Sequence, residues 1–144
     1  MIQGRYKIRT STGRDTGWIK NLVVTGPNSG IGLITQNLVA GATNSPVIDR
    51  AKIGTGTTPA AAGNTDLQTP VLSDILPTTG LTVVTPSSIS LEFFIPDIDL
   101  ANGTYTEFGL FCGTRLFARS IISPSFTKET GEDVIITYEI TITP

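Results

Sequence analysis

Serine and threonine hydroxyls are abundant in this chain, but it contains no histidine to activate them. Histidine is the usual general base of Ser-His and Cys-His nucleophiles and the commonest metal ligand. A Ser-Lys pair or a carboxylate pair could still form between residues distant in sequence, although no spacing marks one. We therefore expect no catalytic residue, no metal site and no cofactor, and a protein that is not an enzyme.

The segment most suggestive of chemistry is Asn21–Gly32, which reads NLVVTGPNSGIG. An apolar strand enters a run with glycines at 26, 30 and 32, a helical pattern follows, and Asp49 comes later. Such glycines let a pyrophosphate approach a helix N-terminus. The segment resembles the dinucleotide-binding opening of short-chain dehydrogenases. That family's Tyr-x-x-x-Lys is absent, however, and 144 residues with one convincing helix are too few for a doubly wound sheet. We interpret the glycines as a turn and the start of a helix.

A second candidate is the acidic segment DIDLANG, which contains Asp97 and Asp99. The EF-hand pattern requires Asp or Asn at its fifth position and Gly at its sixth, where this chain has Ala101 and Asn102. We therefore expect a solvated loop. The alternative is an adventitious Ca²⁺ bound by Asp97, Asp99 and Glu107.

The charge pattern disfavours nucleic acid and membranes as partners. The net charge is −2 and the pI is near 5.0, whereas phosphate binding needs a clustered basic face. No run approaches the ~18 apolar residues of a membrane span. No apolar signal-peptide core follows the N-terminus, so we expect a protein made in a cytoplasm. The N-terminal cations alternate with apolar residues, which predicts the solvent face of a strand or, alternatively, contact with an acidic partner. These cations are Arg5, Lys7, Arg9, Arg14 and Lys20.

Period-two alternation of apolar and polar residues dominates the C-terminal half. It is clearest in Asp133–Thr143 and recurs in Ser88–Ile95. A turn precedes Asp133–Thr143, and Ser125–Lys128 is predicted to be the strand that pairs with it. Tyr105–Cys112 and Arg115–Ile122 flank Gly113-Thr114 and predict a hairpin, in which Cys112 is a buried filler.

The rest of the chain predicts short strands and one helix. The predicted strands are Gly4–Thr10, Trp18–Thr25, Val47–Ile53 and Leu81–Thr85, and the helix lies between Ser29 and Ala40. Together these elements predict a mainly β fold, an antiparallel β-sandwich-like single domain over residues 1–144 with one short N-terminal helix. Residues 1–16 are expected to form either an N-terminal arm or an edge strand.

Three segments together resemble a group of small structural proteins of tailed bacteriophages, the tail-fibre, minor-tail and virion proteins. The central one, Ala51–Val71, contains GTGTTPAAAGNTDL and is similar to that group's G-T-G-T-T-P-x-A-x-x-x-T-x-L signature. The others are Gly17–Val24 with GLITQNL, and Asn102–Phe111 with LFARSII and FTK. The matching segments run in the same order from about residue 17 to residue 143. Gly30 and Gly32 depart from the group's pattern.

The resemblance implies a non-enzymatic virion protein that acts through protein–protein contacts. A tail, fibre or baseplate component is the first expectation. The alternatives are a capsid decoration protein that cements the head shell and, more remotely, a host-glycan-binding module. The partners implied are tail proteins or the major capsid protein, and other copies of this chain in a homo-oligomer, for which a trimer is favoured.

Five residues are predicted to contribute to those contacts. Gly54 and Gly56 would give the signature loop unusual backbone angles, and Pro59 would restrict it, so that the loop could act as a contact arm. An ordinary connection between strands is the alternative. Tyr6 and Trp18 could anchor an interface, because aromatic residues are enriched at hot spots, or could instead be buried in the core.

Overall fold

The computed structural model describes residues 1–78 and 82–144. In these residues it has nine strands, a short α-helix and one turn of 3₁₀-helix at Asp97–Asp99. The helix, α1, spans Ile31–Gln36. The strands are β1 (Ile2–Thr10), β2 (Ile19–Val23), β3 (Arg50–Gly54), β4 (Pro70–Ile75), β5 (Thr82–Thr85), β6 (Ser88–Ile95), β7 (Gly103–Cys112), β8 (Arg115–Lys128) and β9 (Val134–Ile142).

The described strands form one curled antiparallel sheet in the order β4-β3-β7-β8-β2-β1-β9-β6-β5. β2 pairs with β1 through Ile19–Asn21 and with β8 through Leu22 and Val23, so it joins the two halves of the sheet. The predicted mainly β, antiparallel single domain with one short helix is confirmed. The sandwich-like packing comes from the two halves of this sheet facing each other.

The core lies between those two halves and is formed by inward-facing residues of the strands other than β5. On β9, Val134, Ile136, Tyr138 and Ile140 are buried, as the alternation predicts. The ring of Tyr6 on β1 lies 4.8 Å from the ring of Phe108 on β7, and Phe93 on β6 packs edge-on against Phe108 at 6.4 Å between ring centroids. Aromatic side chains from both halves therefore hold the curl closed.

The two outer strands of the sheet differ in how they are covered. After β4, residues 77 and 78 lie beside β6. Thr78 N–H donates a hydrogen bond to the carbonyl of Glu92, and Pro77 forms an isolated β-bridge with Phe93. β5 pairs with β6 along one side, and all four of its residues are exposed. One edge is thus tied back to the opposite half of the sheet, and the other faces solvent.

Several sequence-based details were wrong. Residues 2–10 are neither an arm nor an edge strand, because β1 pairs with β2 on one side and β9 on the other. Ser125–Lys128 is the end of β8 and pairs with β7, whereas β9 pairs with β1 and β6. The predicted strand Leu81–Thr85 is present as β5, except that Leu81 lies outside the described residues. In the part of the chain that the structure describes, no helix is long and apolar enough to cross a membrane.

Candidate interaction surface

The signature loop, residues 55–69, connects β3 to β4 and is held from below by the carboxylate of Glu107 on β7. Glu107 Oε1 accepts hydrogen bonds from the main-chain N–H of Gly56 at 3.1 Å and of Thr69 at 2.6 Å. Its Oε2 accepts from the N–H of Gln68 at 3.0 Å. One buried carboxylate therefore fixes both ends of the loop.

Arg119 on β8 neutralises this carboxylate and extends the attachment. Its Nε and Nη2 donate to Glu107 Oε2 at 3.1 and 2.9 Å, and both side chains are almost inaccessible to solvent. The remaining guanidinium donors reach the loop, at Asn64 Oδ1 and the carbonyl of Thr58. Burial alone would raise the pKa of Glu107, but the hydrogen bonds from Thr69, Gln68, Arg119 and Gly56 outweigh it and lower that pKa.

Gly54 and Gly56 have a different role from the one predicted. Neither has a positive φ, so the loop needs no unusual backbone angle at these positions. Instead, a Cβ at Gly54 would lie 2.3 Å from the carbonyl oxygen of Thr69, and a Cβ at Gly56 would lie 2.6 Å from Glu107 Oε1. Both glycines are buried, and they allow the main chain to approach the carboxylate closely.

The exposed side chains of the signature loop are mostly small, and all are uncharged except Asp66, which pairs with Lys52 Nζ at 3.0 Å. Thr55, Thr57, Thr58 and Pro59 are exposed, while Leu67 inserts below the loop into a cluster with Val24, Phe111 and Leu116. Gln68 Oε1 accepts from the N–H groups of Thr57 and Thr58 at 2.9 Å each. The loop is an anchored surface rather than a free arm, and of its three predicted contact residues Pro59 is the one on the outside.

The two aromatic candidates lie in different environments. Tyr6 is completely buried, donates a hydrogen bond to Ser120 Oγ at 3.1 Å, and cannot anchor an interface. Its inward position on β1 is what places it in the core. Trp18 is 41% exposed, with the guanidinium of Arg5 4.2 Å and the ammonium of Lys7 4.9 Å from the ring centroid. Trp18 therefore remains available for a contact.

The dehydrogenase-like segment is a tight turn that starts α1, as interpreted from the sequence. Gly30 has φ 48°, and a Cβ there would lie 2.0 Å from the carbonyl oxygen of Val24; one at Gly32 would lie 2.1 Å from that of Gly26. The strands around it are antiparallel, not the parallel strands of a dinucleotide fold. Asp49 accepts from the N–H of Gly113 at 2.8 Å and so supports the β7–β8 turn.

The calcium-like segment surrounds a cation from the chain itself. The ammonium of Lys128, which is 1% exposed, donates to Asp97 Oδ1 at 2.5 Å and to Asn102 Oδ1 at 3.0 Å. The hydrogen bond from Lys128 lowers the pKa of the Asp97 carboxyl. Glu107, the third ligand in the calcium alternative, forms its ion pair with Arg119. Within residues 1–78 and 82–144, no three acidic or sulfur side chains converge as a metal site would require.

Comparisons with known proteins returned no matching family model, no matching curated protein and no matching solved structure.

The residues that matter most at this site were hard to recognise from the sequence. Arg119 was not singled out, and Glu107 was considered only as a calcium ligand. The available signal was one acidic and one basic residue, each within an apolar stretch of two neighbouring strands. Glu107 directly precedes FGLFC, and Arg119 lies within LFARSII. Buried charges are almost always paired, so two opposite charges in adjacent apolar strands indicate an internal ion pair.

Proposed function

We propose that this protein is a non-enzymatic virion structural protein of a tailed phage, a building block of the tail, fibre or baseplate that acts through protein–protein contacts. The resemblance of the signature loop to that group of proteins motivates the proposal. The geometry of the loop supports it, because Glu107 and Arg119 hold in place an outer surface that is uncharged apart from Asp66. A fixed surface loses little conformational entropy when it binds a partner.

The observation that carries a contact role is the open edge of β5. Its sequence, TVVT, contains no charged residue, and Val83 and Val84 are 63% and 51% exposed on opposite faces of the strand. Exposed apolar edge strands are templates for pairing with another chain, and natural proteins usually protect them with charges, prolines or bulges. β5 therefore supplies main-chain groups and apolar area for a contact.

The opposite edge shows that protection. Both edge strands have an irregular register with their neighbours, but β4 also begins with Pro70 and carries Asp74, which has φ 59° and is bound by Arg50 Nη1 at 2.9 Å. This difference between the two edge strands favours β5 as the edge that pairs with another chain.

The proposed partner of β5 is a second copy of this chain, within a homo-oligomer. Docking of β5 on a different surface of the next copy would close a ring, and three subunits remain the expected number. Val83→Lys places a charge on the open edge and is expected to give monomers, while Val71→Lys on β4 is the matched control. Molar mass by light scattering measures the outcome, and a wild-type monomer at high concentration would contradict this mode of assembly.

Location in the particle tests the function itself. Gold-labelled antibody against the protein is expected to mark the tails of intact particles, and the protein is expected to separate with tails when particles are dissociated. Labelling of heads at hundreds of copies, with heat release that leaves intact but weaker shells, would identify a capsid decoration protein instead. Absence from particles, or turnover of a substrate by the purified chain, would reject the structural role.

A further inference from the structure

A groove lies where β1 and β2 part. The two strands pair through Gly4–Tyr6 and Ile19–Asn21, after which β2 turns away to pair with β8. The space between them has a volume of about 530 Å³, within the range of ligand pockets, and is lined by residues of β1, β2 and β9. We call it the β1–β2 groove.

Within the described residues, each wall of the β1–β2 groove has main-chain groups that no neighbouring strand uses. Met1 and Thr143 exchange hydrogen bonds between β1 and β9, so by antiparallel alternation Ile2 directs its N–H and C=O away from β9, into the groove. On the other wall, Val24 N–H donates to the carbonyl of Phe117 on β8, so Val23 directs its groups away from β8. Ile2 and Val23 are not paired with each other.

A buried amide with no partner lies along the same groove. Asn21 lines it and is only 8% exposed, yet neither its Oδ1 nor its Nδ2 has a hydrogen-bond partner among the described residues. An unsatisfied buried polar group costs about 1–3 kcal/mol, so its retention needs an explanation. A bound polar group that pairs with this amide would supply one.

The charges around the β1–β2 groove leave an excess of positive charge. Arg5 Nη2 is paired with Glu139 Oε2 at 2.7 Å, while Lys20 is exposed and makes no ion pair within the described residues. All three residues line the groove. An acidic ligand is therefore favoured over a basic one.

We propose that the β1–β2 groove binds an extended acidic peptide segment of a partner protein by strand addition. Main-chain groups of the segment pair with Ile2 and Val23, a polar side chain or peptide group meets the Asn21 amide, and a carboxylate lies near Lys20. The proposal rests on the contact role proposed above and names one of its sites.

A peptide titration tests the proposal on the full chain. The probe is an end-blocked octapeptide of alternating threonine and aspartate, and the control probe replaces aspartate with lysine. Amide signals of Ile2, Lys20 and Val23 are expected to shift in ¹⁵N spectra with the acidic peptide. Lys20→Glu should weaken binding about tenfold, and Arg115→Glu, the same charge reversal on the β7–β8 hairpin, should not.

A main-chain variant separates strand pairing from simple charge attraction. Ile2→Pro removes the N–H that faces the groove and is expected to abolish binding, while Ile2→Ala keeps that N–H and should retain it. Both variants are first compared by circular dichroism. Equal binding of the two peptides, shifts confined to other strands, or unchanged binding by a folded Ile2→Pro protein would overturn the proposal. Because location in the particle is measured separately, failure here is distinguishable from failure of the proposed function.

Discussion

Arg119 and Glu107 form a two-point ion pair inside the sheet, with Nε and Nη2 of the arginine 3.1 and 2.9 Å from one carboxylate oxygen. Their side chains are 2% and 0% exposed. Since the same carboxylate binds Gly56, Gln68 and Thr69, the pair connects the interior of the protein to its signature loop. The structural consequences of this connection can be measured.

Glu107→Gln is expected to lower the free energy of unfolding by about 3–5 kcal/mol, because it leaves the buried charge of Arg119 without compensation. Amide exchange at Gly56 and Thr69 should accelerate as the loop loosens. Glu139→Gln is the matched control: it breaks an ion pair to Arg5, whose side chain is 52% exposed, and should cost at most about 1 kcal/mol. Urea denaturation measures both variants. Equal losses would contradict the role assigned to Glu107.

Gly56→Ala is expected to destabilise the protein by about 1–3 kcal/mol, since the added Cβ would overlap the Glu107 carboxylate. Gly63, in the same loop, has open space around the position of its Cβ and no positive φ. Gly63→Ala should therefore be neutral or slightly stabilising, through the unfolded chain. Thermal unfolding compares the two, and a neutral Gly56→Ala would show that the loop does not need the close approach.

Acid should destabilise the protein through Glu107 and Glu132. The pKa of Glu107 is lowered by its hydrogen bonds despite burial, and that of Glu132 is lowered chiefly by Arg14 and Thr12. A lowered folded-state pKa contributes stability that is present above the unfolded pKa of about 4.3 and is lost as pH falls toward the folded value. Urea denaturation from neutral pH downward is expected to show stability falling below about pH 4.5. In Glu107→Gln this fall should be smaller, and an equal fall would contradict the contribution of Glu107.

Asp97→Ala is expected to cost about 2 kcal/mol, because it removes a charged partner of the buried ammonium of Lys128. Asp99→Ala in the same short helix should change stability little, since the Asp99 carboxylate makes no hydrogen bond within the described residues. Calorimetric melting distinguishes the two. A calcium-dependent rise in melting temperature that requires both aspartates would favour the alternative of a metal loop.

Cys112 should react slowly with thiol reagents in the folded protein. Its side chain is buried. Burial, and to a smaller extent the nearby negative charge of Asp49, raises the pKa of its thiol to about 12. Labelling with a chromogenic disulfide is expected to become complete only after denaturation. Ser45→Cys, in a loop, provides a reactive internal reference in the same chain. Rapid labelling of native Cys112 would show that the β7–β8 hairpin opens readily.

The sequence predicted the elements better than their partners. The alternation in β9 and the Gly113-Thr114 turn depend on neighbouring residues, and both are confirmed in the structure. Which strand pairs with β9 depends on closure of the whole curl, which leaves no local pattern. β1 illustrates the same limit: an interior strand with one solvated face has the same alternation as an edge strand, so Arg5 and Lys7 could not distinguish the two.

The site was predicted less well, for a related reason. Pro59 and Trp18 are exposed, as a contact role requires, but Tyr6 is not. Gly54 and Gly56, predicted to contribute to contacts through unusual backbone angles, are buried and have no positive φ. The sequence shows that a glycine lacks a side chain, but it does not show which group occupies that space. The carboxylate of Glu107, some fifty residues away along the chain, is what occupies it.

The signature loop separates the residues that hold it from the residues that it displays. Gly54, Gly56 and Gln68 face the buried carboxylate or the loop's own main chain, whereas the side chains of Thr57 and Pro59 point outward and carry none of the attachments described. Substitutions at the displayed positions should therefore be nearly free of folding cost. The same scaffold could diversify its binding specificity there, in evolution or by engineering, while its interior stays unchanged.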